Sequence, residues 1–348
     1  MEKNNNNKFT PLSSLGEFGL IDHLTKDIKC NHNNTIKGIG DDAAVLDYGD
    51  NYLVITTDLL AEGVHFNLVY TPLKHLGYKA VVVNLSDIYA MNATPKQITV
   101  SMAISAKFSV EHLEELYSGI KLACEKYNVD LIGGDTTSSY TGLTICVTAI
   151  GEVPKNKITY RNGAKNNDLV CVSGDLGSAY MGLQLLERER KIFEKTGVQK
   201  PDFENYGYIL ERQLKPEARK DIVEILNGIG VVPTSMIDIS DGLSSEMLHV
   251  CKASNVGCNI YQEKIPVNKE TVQMSEEFNL PPLTAALNGG EDYELLFTVS
   301  LSDYEKIIVH PEISIIGHIA YKDFGCHLIL DSGDEIEISA QGWNAMKK

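Results

Sequence analysis

Along this chain short apolar runs and helical patterns interleave, and turn residues between them mark out the elements. Residues 1–10 are polar and rich in asparagine and read as a frayed tail. Tyr52–Thr56 (YLVIT) and Gln97–Ile104 (QITVSMAI) are short and β-branched, which predicts strands. Ser109 is placed to cap a helix running to about Tyr127, with Glu111 near its positive end. Val129–Ile132 runs into Gly133-Gly134, a strand expected to enter a turn, and Gly142–Val153 reads as another strand. Leu76–Met91 is ambiguous. Its valines favour a strand, yet it continues for about 16 residues without a turn signal before Asn92-Ala93-Thr94-Pro95, and helix is the better fit.

Beyond residue 155 the mixture begins again. Strands are expected at Leu169–Ser173, Met236–Ile239, Cys258–Tyr261 and Tyr293–Val299, and helices at Ser178–Arg190 and Leu243–Ser254. Residues 187–208 read as a polar helical excursion with a loop, and a last hairpin is expected around Asp331–Asp334. The predicted fold class is therefore α+β (mixed α/β) in two halves, residues 1–153 and 154–348.

With 43 % hydrophobic and 22 % charged residues, the chain can build a sizeable core. Its formal charge of −16 argues against general affinity for nucleic acid or an anionic membrane, and no stretch reaches the length of a membrane span. An acidic protein binds an anion such as ATP only where metal ions or local basic groups screen the site. Seven cysteines are scattered without a C-x-x-C pair, which predicts reduced thiols, most of them core filler, in a cytoplasmic protein.

One recurrence carries chemistry: apolar segments that end in a small polar residue and then an aspartate. Asp41-Asp42, Asp58, Asp87, Asp135, and Asp238 with Asp241 all sit this way, each beside Gly, Ser or Thr. Taken singly, such an aspartate is usually a turn residue or a helix cap. Gathered together, the carboxylates repel and raise one another's pKa unless cations neutralise them. Hard divalent ions are the natural answer, because Mg²⁺ takes carboxylates and substrate phosphates together. The nine histidines show no H-E-x-x-H and give no support for zinc; neither a G-x-S-x-G elbow nor a GxxxxGK[ST] loop is present.

GIGDDAAV (38–45), TTDLLAEGVHF (56–66), NLSDIYAMNATP (84–95), LIGGDTT (131–137), IDISDGLSSE (237–246) and GGEDYELLF (289–297) together resemble the thiamine-monophosphate kinases. These belong to the aminoimidazole ribonucleotide synthetase-like ATP-binding superfamily, and the resemblance runs from about Gly16 to Trp343. It implies phosphoryl transfer from ATP to thiamine monophosphate, giving thiamine diphosphate and ADP. It also implies an N-terminal ATP- and Mg-binding domain that pairs through its sheet in a homodimer, with each active site near that interface. Motif by motif, Asp42, Thr56, Thr57, Asp58, Asp87, Asp135 and Asp238 resemble Mg²⁺ ligands, Asp241 an additional one, and Asp41 a structural neighbour. Tyr117, Gly134, Asp135, Arg161 and Ser240 match ATP-contacting positions; His65, Glu291 and Trp343 match positions facing thiamine monophosphate. No general base or nucleophile is expected.

Two other readings stay in view. A selenophosphate synthetase would carry a reactive Cys followed by Lys near its N-terminus, and a hydrogenase-maturation dehydratase a cysteine tail where this chain ends Lys347-Lys348. A non-catalytic nucleotide- or cation-binding relative would bind without turnover, although every acidic motif position is intact.

Overall fold

The computed structural model describes residues 10–197 and 203–340, so Trp343 and most of the N-terminal tail lie outside it. The first half builds a six-stranded sheet from β1 (Thr35–Lys37), β2 (Ala44–Asp47), β3 (Asn51–Ala61), β4 (Thr94–Ser105), β5 (Asp130–Ser139) and β6 (Thr144–Pro154). Its order is β1-β2-β3-β6-β4-β5, with only β4 and β5 parallel. Helix α1 (Gly16–Thr25) precedes it, and α2 (Leu73–Ala90) and α3 (Val110–Tyr127) pack on one face.

The second half carries α4 (Ser178–Thr196), α5 (Gly207–Leu214), α6 (Lys220–Gly228), α7 (Leu243–Ser254), α8 (Lys269–Glu277) and α9 (Pro282–Asn288). Its seven strands are β7 (Leu169–Ser173), β8 (Ser235–Ile239), β9 (Gly257–Tyr261), β10 (Glu294–Val299), β11 (Ile313–Ala320), β12 (Cys326–Ile329) and β13 (Glu335–Glu337). They pair in the order β13-β12-β9-β11-β7-β10-β8, which leaves β8 at an edge.

Most predicted elements are present, including the ambiguous one. The run from Leu76 is helix α2, and nearly every residue from Leu76 to Ala90 is buried. A helix that is apolar all round must be covered all round. Here β3, β4 and β6 lie beneath it, α3 lies alongside, and β8 and α5 of the second half lie over it. Each large apolar side chain so buried contributes about 1.5–3 kcal/mol. Ser109 caps α3 as expected, its Oγ accepting from the His112 amide at 3.5 Å while its own amide donates to His112 Nδ1 at 3.1 Å.

Two expectations change. Gly133-Gly134 is no turn: β5 runs straight through to Ser139 because its backbone is held in parallel register on β4, with Gly134 opposite Val100. A Cβ on Gly134 would lie 1.7 Å from the Val100 carbonyl oxygen, so the glycine marks a close approach of two strands. Helix α4 also outlasts its expected end at Arg190, reaching Thr196, helped by Arg190 bridging Glu187 at 2.7 Å and Glu194 at 2.6 Å. Strands β1, β2 and β11 and helices α1, α5, α6, α8 and α9 had no counterpart in the sequence reading.

Helices α2 and α3 cross backbone to backbone at Gly77 and Gly119. A Cβ on Gly119 would stand 1.8 Å from the Lys74 carbonyl oxygen, and one on Gly77 2.0 Å from that of Leu116. Gly119→Ala is expected to push the helices apart and cost about 1–3 kcal/mol, despite the better helix propensity of alanine. Urea unfolding followed by circular dichroism measures it; an unchanged or raised midpoint contradicts this packing.

Candidate active site

Four aspartates from four different segments meet between the two sheets. Asp42 follows the loop after β1, Asp58 lies on β3, Asp87 sits near the end of α2, and Asp238 lies on β8. Carboxylate oxygens of Asp42, Asp87 and Asp238 lie within 4.8 Å of one another. The hydroxyl of Thr56 donates to Asp87 at 2.6 Å, that of Ser86 donates to Asp238 at 2.7 Å, and the Asp58 amide donates to Asn84 Oδ1 at 2.9 Å. Arg161, on the segment joining the sheets, forks onto Asp42 Oδ1 through Nη2 at 2.6 Å and Nε at 3.1 Å.

The electrostatics follow from this crowding. Burial pushes Asp42 up to about 7 against the opposing pull of Arg161. Burial, with the charge of Asp42, raises Asp58 to about 6. Asp238 also rises to about 6 through burial, despite the Ser86 hydrogen bond. Asp87 is raised well above the usual range by burial and then by Asp58, Asp238 and Asp42. Asp241, at the mouth of the cluster, is raised to about 6 by burial and then by Glu17 and Glu291.

The alternation of β3 separates two neighbours that the motif placed together. Thr56 and Asp58 share the face turned to α2, whereas Thr57 is on the other face, its hydroxyl donating to the Val147 carbonyl at 3.0 Å. The Thr57 side chain is therefore not brought to the cluster. Asp41 holds the loop, accepting from the Arg161 amide at 3.0 Å and pairing with Lys37 at 3.4 Å.

Gly134 and Asp135 lie elsewhere. Val147, Val100 and Gly134 continue the row of Asp58 across β6, β4 and β5, so Gly134 is three strand spacings away, about 14 Å. With Tyr117 of α3 and with Val100, Leu131 and Thr136, the pair lines a separate open cleft of about 460 Å³. Within one chain these three are together, but not with the aspartate cluster.

Opposite the cluster stands the loop before β10. The amides of Glu291 and Tyr293 donate to the carbonyls of Ser240 at 2.7 Å and Ile239 at 2.9 Å, lacing this loop to the end of β8. Glu291 accepts from Lys79 Nζ at 2.6 Å and from Gln213 Nε2 at 2.8 Å. Ser240 and the Asp241 amide approach Glu246 of α7 at 3.4 and 2.9 Å. His65 is held through Nδ1, which accepts from the Ala61 amide at 3.0 Å, and burial lowers its pKa against the opposing charge of Glu291. A neutral imidazole accepting at Nδ1 carries its proton on Nε2. Lys79 and Gln213 were missed by the sequence reading; a single lysine inside the apolar run GYKAVVVNL was the available signal.

With the site lying between two sheets joined through a buried helix, residues 40–153 match the family model described as AIR synthase related protein, N-terminal domain. Thiamine-monophosphate kinase of Aquifex aeolicus is 37 % identical over 287 residues, covering 82 % of this chain and 87 % of the relative. That of Bacillus subtilis is 32 % identical over 339 residues, covering 96 % and 100 %. Among solved structures, AaThiL complexed with AMPPCP and TMP superposes with a TM-score of 0.83 at 32 % identity, covering 97 % of this chain and all of that one. The chain belongs to the thiamine-monophosphate kinase family.

A carboxylate whose folded-state pKa is raised binds its proton more tightly folded than unfolded. Its charged form therefore destabilises the fold, and stability falls as pH rises from about 4 through the folded value. For Asp42, Asp58 and Asp238 that window runs from about 4 to about 7. A two-unit shift corresponds to roughly 3 kcal/mol per group, with the groups titrating together. In chelator-containing buffer the melting temperature is expected to fall between pH 5 and pH 7.5, and the slope to flatten in Asp87→Asn; a wild-type curve that rises across this window contradicts the electrostatics.

Proposed function

We propose that this chain transfers the terminal phosphoryl group of ATP to thiamine monophosphate, producing thiamine diphosphate and ADP in the cytoplasm. The observation that carries the reading is the buried carboxylate crowd, in a chain whose fold matches AaThiL complexed with AMPPCP and TMP. The acceptor is a phosphate oxygen already largely ionised near neutral pH, since a phosphate ester has its second pKa near 6. It needs no general base. The difficulty is to bring two polyanions together in line, which calls for cations and positioning.

The donor set fits Mg²⁺. It is all oxygen, three carboxylates converge, and Asp42 Oδ2 is buried without a hydrogen-bond partner. Asp42, Asp58, Asp87 and Asp238 would hold the ions, with Asp241 at the mouth and the Thr56 hydroxyl orienting Asp87. Bound Mg²⁺ supplies charge neutralisation for the transferring phosphoryl group. Arg161 keeps its guanidinium at the cluster, where it offsets carboxylate charge and presents donors to phosphate. Ser240, beside Asp241, is assigned to the nucleotide on family likeness. Glu291, fixed by Lys79 and Gln213, and the Nε2–H of His65 are assigned to thiamine monophosphate, with Trp343 proposed on family likeness alone.

The same reading makes the protein a homodimer through its first sheet. One face of that sheet is covered by α2 and α3, while the other leaves Leu59 53 % exposed, and on the edge strand Leu131 and Ile132 are 39 % and 58 % exposed. Apolar residues grouped on an open sheet face and its edge favour a second copy. The cleft of Tyr117, Gly134 and Asp135 borders that edge, which supports its assignment to the nucleotide near the dimer interface rather than within the single-chain cluster.

ADP release measured with ATP, Mg²⁺ and thiamine monophosphate tests the activity. Turnover is expected only with all three present; Asp58→Asn should lower it on the order of 10²–10³-fold while keeping the fold. Binding of ATP without turnover under these conditions would instead support a non-catalytic nucleotide-binding protein. Thr56→Val should lower turnover more than Thr57→Val, because only Thr56 reaches Asp87; the reverse order contradicts the placement of β3. For the dimer, Leu59→Lys is expected to yield a monomer in sedimentation velocity and to lose turnover. A dimeric variant would place the interface elsewhere.

A further inference from the structure

The second core contains a group that the phosphoryl-transfer site does not use. Cys251 lies in the last turn of α7, Cys258 on β9 and Cys326 on β12. Their three sulfurs lie within 4.8 Å of one another. Cys258 and Cys326 are direct partners in the parallel pairing of β9 with β12, and Cys251 closes over them from the helix. The backbone at each is fixed: the Cys251 carbonyl accepts from Val256 at 3.0 Å, the Cys258 amide donates to Gly325 at 3.0 Å, and the Cys326 carbonyl accepts from Ile338 at 2.9 Å. All three are free thiols.

We infer that Cys251, Cys258 and Cys326 form a binding site for one Zn²⁺ ion. At a Zn–S distance of about 2.3 Å, three thiolates around one ion stand about 4 Å apart, so small rotamer adjustments bring these sulfurs to bonding distance. Hard ions such as Mg²⁺ have no oxygen donor in this triad and stay at the carboxylates. Charge selects the divalent ion. Three thiolates with Zn²⁺ leave one net negative charge among apolar neighbours, whereas a monovalent thiophilic ion leaves two, and buried net charge is costly. Cys251 and Cys258 are buried, 3 % and 0 % exposed, while Cys326 is only half-buried, so the fourth position opens on its side to water or a small ligand. Three protein ligands with one open position is an established zinc arrangement.

The site would fasten the end of α7 to β9 and β12. Helix α7 begins beside the phosphate site, where its Glu246 receives the Asp241 amide. Zinc at its far end therefore stiffens the helix without entering the reaction, and the inference does not depend on which phosphoryl acceptor the protein uses.

The test takes the full chain, reduced and stripped of metal, and titrates it with Co²⁺ as a spectroscopic probe and then with Zn²⁺ in competition. Expected, with Mg²⁺ held in excess over the carboxylates, are a thiolate-to-cobalt charge-transfer absorption that saturates at one equivalent per chain and is abolished by Zn²⁺, and a Zn²⁺-dependent rise in melting temperature. Cys326→Ser should weaken Zn²⁺ binding by about tenfold or more and remove the rise, while turnover with Mg²⁺ stays near wild type. Cys30→Ser, on the first half, should bind as wild type. Should Cys326→Ser fail to fold, alkylation of the wild type decides: Zn²⁺ must protect Cys326 and leave Cys30 reactive. No thiolate–cobalt band, binding unchanged in Cys326→Ser, or a Cys258–Cys326 disulfide in air from a reduced chain that takes up no zinc would each overturn the site.

Discussion

Helix α2 is enclosed on nearly all sides, and apart from the Tyr89 hydroxyl and His75 Nδ1 the polar groups it carries inward find partners there. It finds them in both halves of the molecule. Tyr78 donates to Glu217 at 2.6 Å, and Lys79 reaches Glu291 at 2.6 Å and the Gln213 carbonyl at 3.0 Å. Seven residues on, two helical turns along the same face, Ser86 donates to Asp238. Asn84 and Asp87, three apart, face β3 and meet the Asp58 amide and the Thr56 hydroxyl. An unsatisfied buried polar group costs about 1–3 kcal/mol, more if charged. These pairings therefore set the relative position of the two sheets, and that position creates the aspartate site.

The site is electrostatically expensive in the isolated chain. One guanidinium and a few hydroxyls face four carboxylates, and Asp42 remains raised to about 7 despite its ion pair with Arg161. Such a cluster is unfavourable for folding and favourable for collecting cations, because every ion bound relieves repulsion already built in. On the proposed reading the same arithmetic would let a chain of net charge −16 hold a polyanion, the attraction being carried by ions collected at one point rather than by its surface.

Much of this was legible in the order of residues, and the reasons for the exceptions are physical. Short β-branched runs identified β3 and β4, the length of an apolar run without a turn signal identified α2, and the aspartates after apolar runs, Asp135 excepted, pointed to the cluster. The separation of Thr56 from Thr57 was also legible, since residues one apart on a strand face opposite ways, but a motif read as a block hides it. Gly133-Gly134 misled because glycine pairs serve turns and close strand approaches alike, and only the pairing with Val100 distinguishes them. The gathering of Cys251, Cys258 and Cys326 was invisible: the first two are on adjacent elements, but the third reaches them only through a strand added to β9 long afterwards.

Glu291 shows how the two halves are coupled at the point assigned to thiamine monophosphate. Its backbone is left-handed at φ 68°, as is that of Tyr293 at φ 53°, conformations that cost of order 1–3 kcal/mol each in residues other than glycine. The surroundings enforce them: Gly290 is pressed against the Ser240 carbonyl, where a Cβ would lie at 2.4 Å, and Asp292 holds the start of α4 through the Gly177 amide at 2.6 Å. Between these fixed neighbours the Glu291 side chain turns toward Lys79, whose ammonium is almost fully enclosed on α2. Removing the carboxylate would leave that charge buried with the Gln213 carbonyl to receive it, so the pair acts as a joint between the halves. A helix that positions Asp87 at one end thus holds the opposite wall of the site from its middle, and the two walls cannot shift independently.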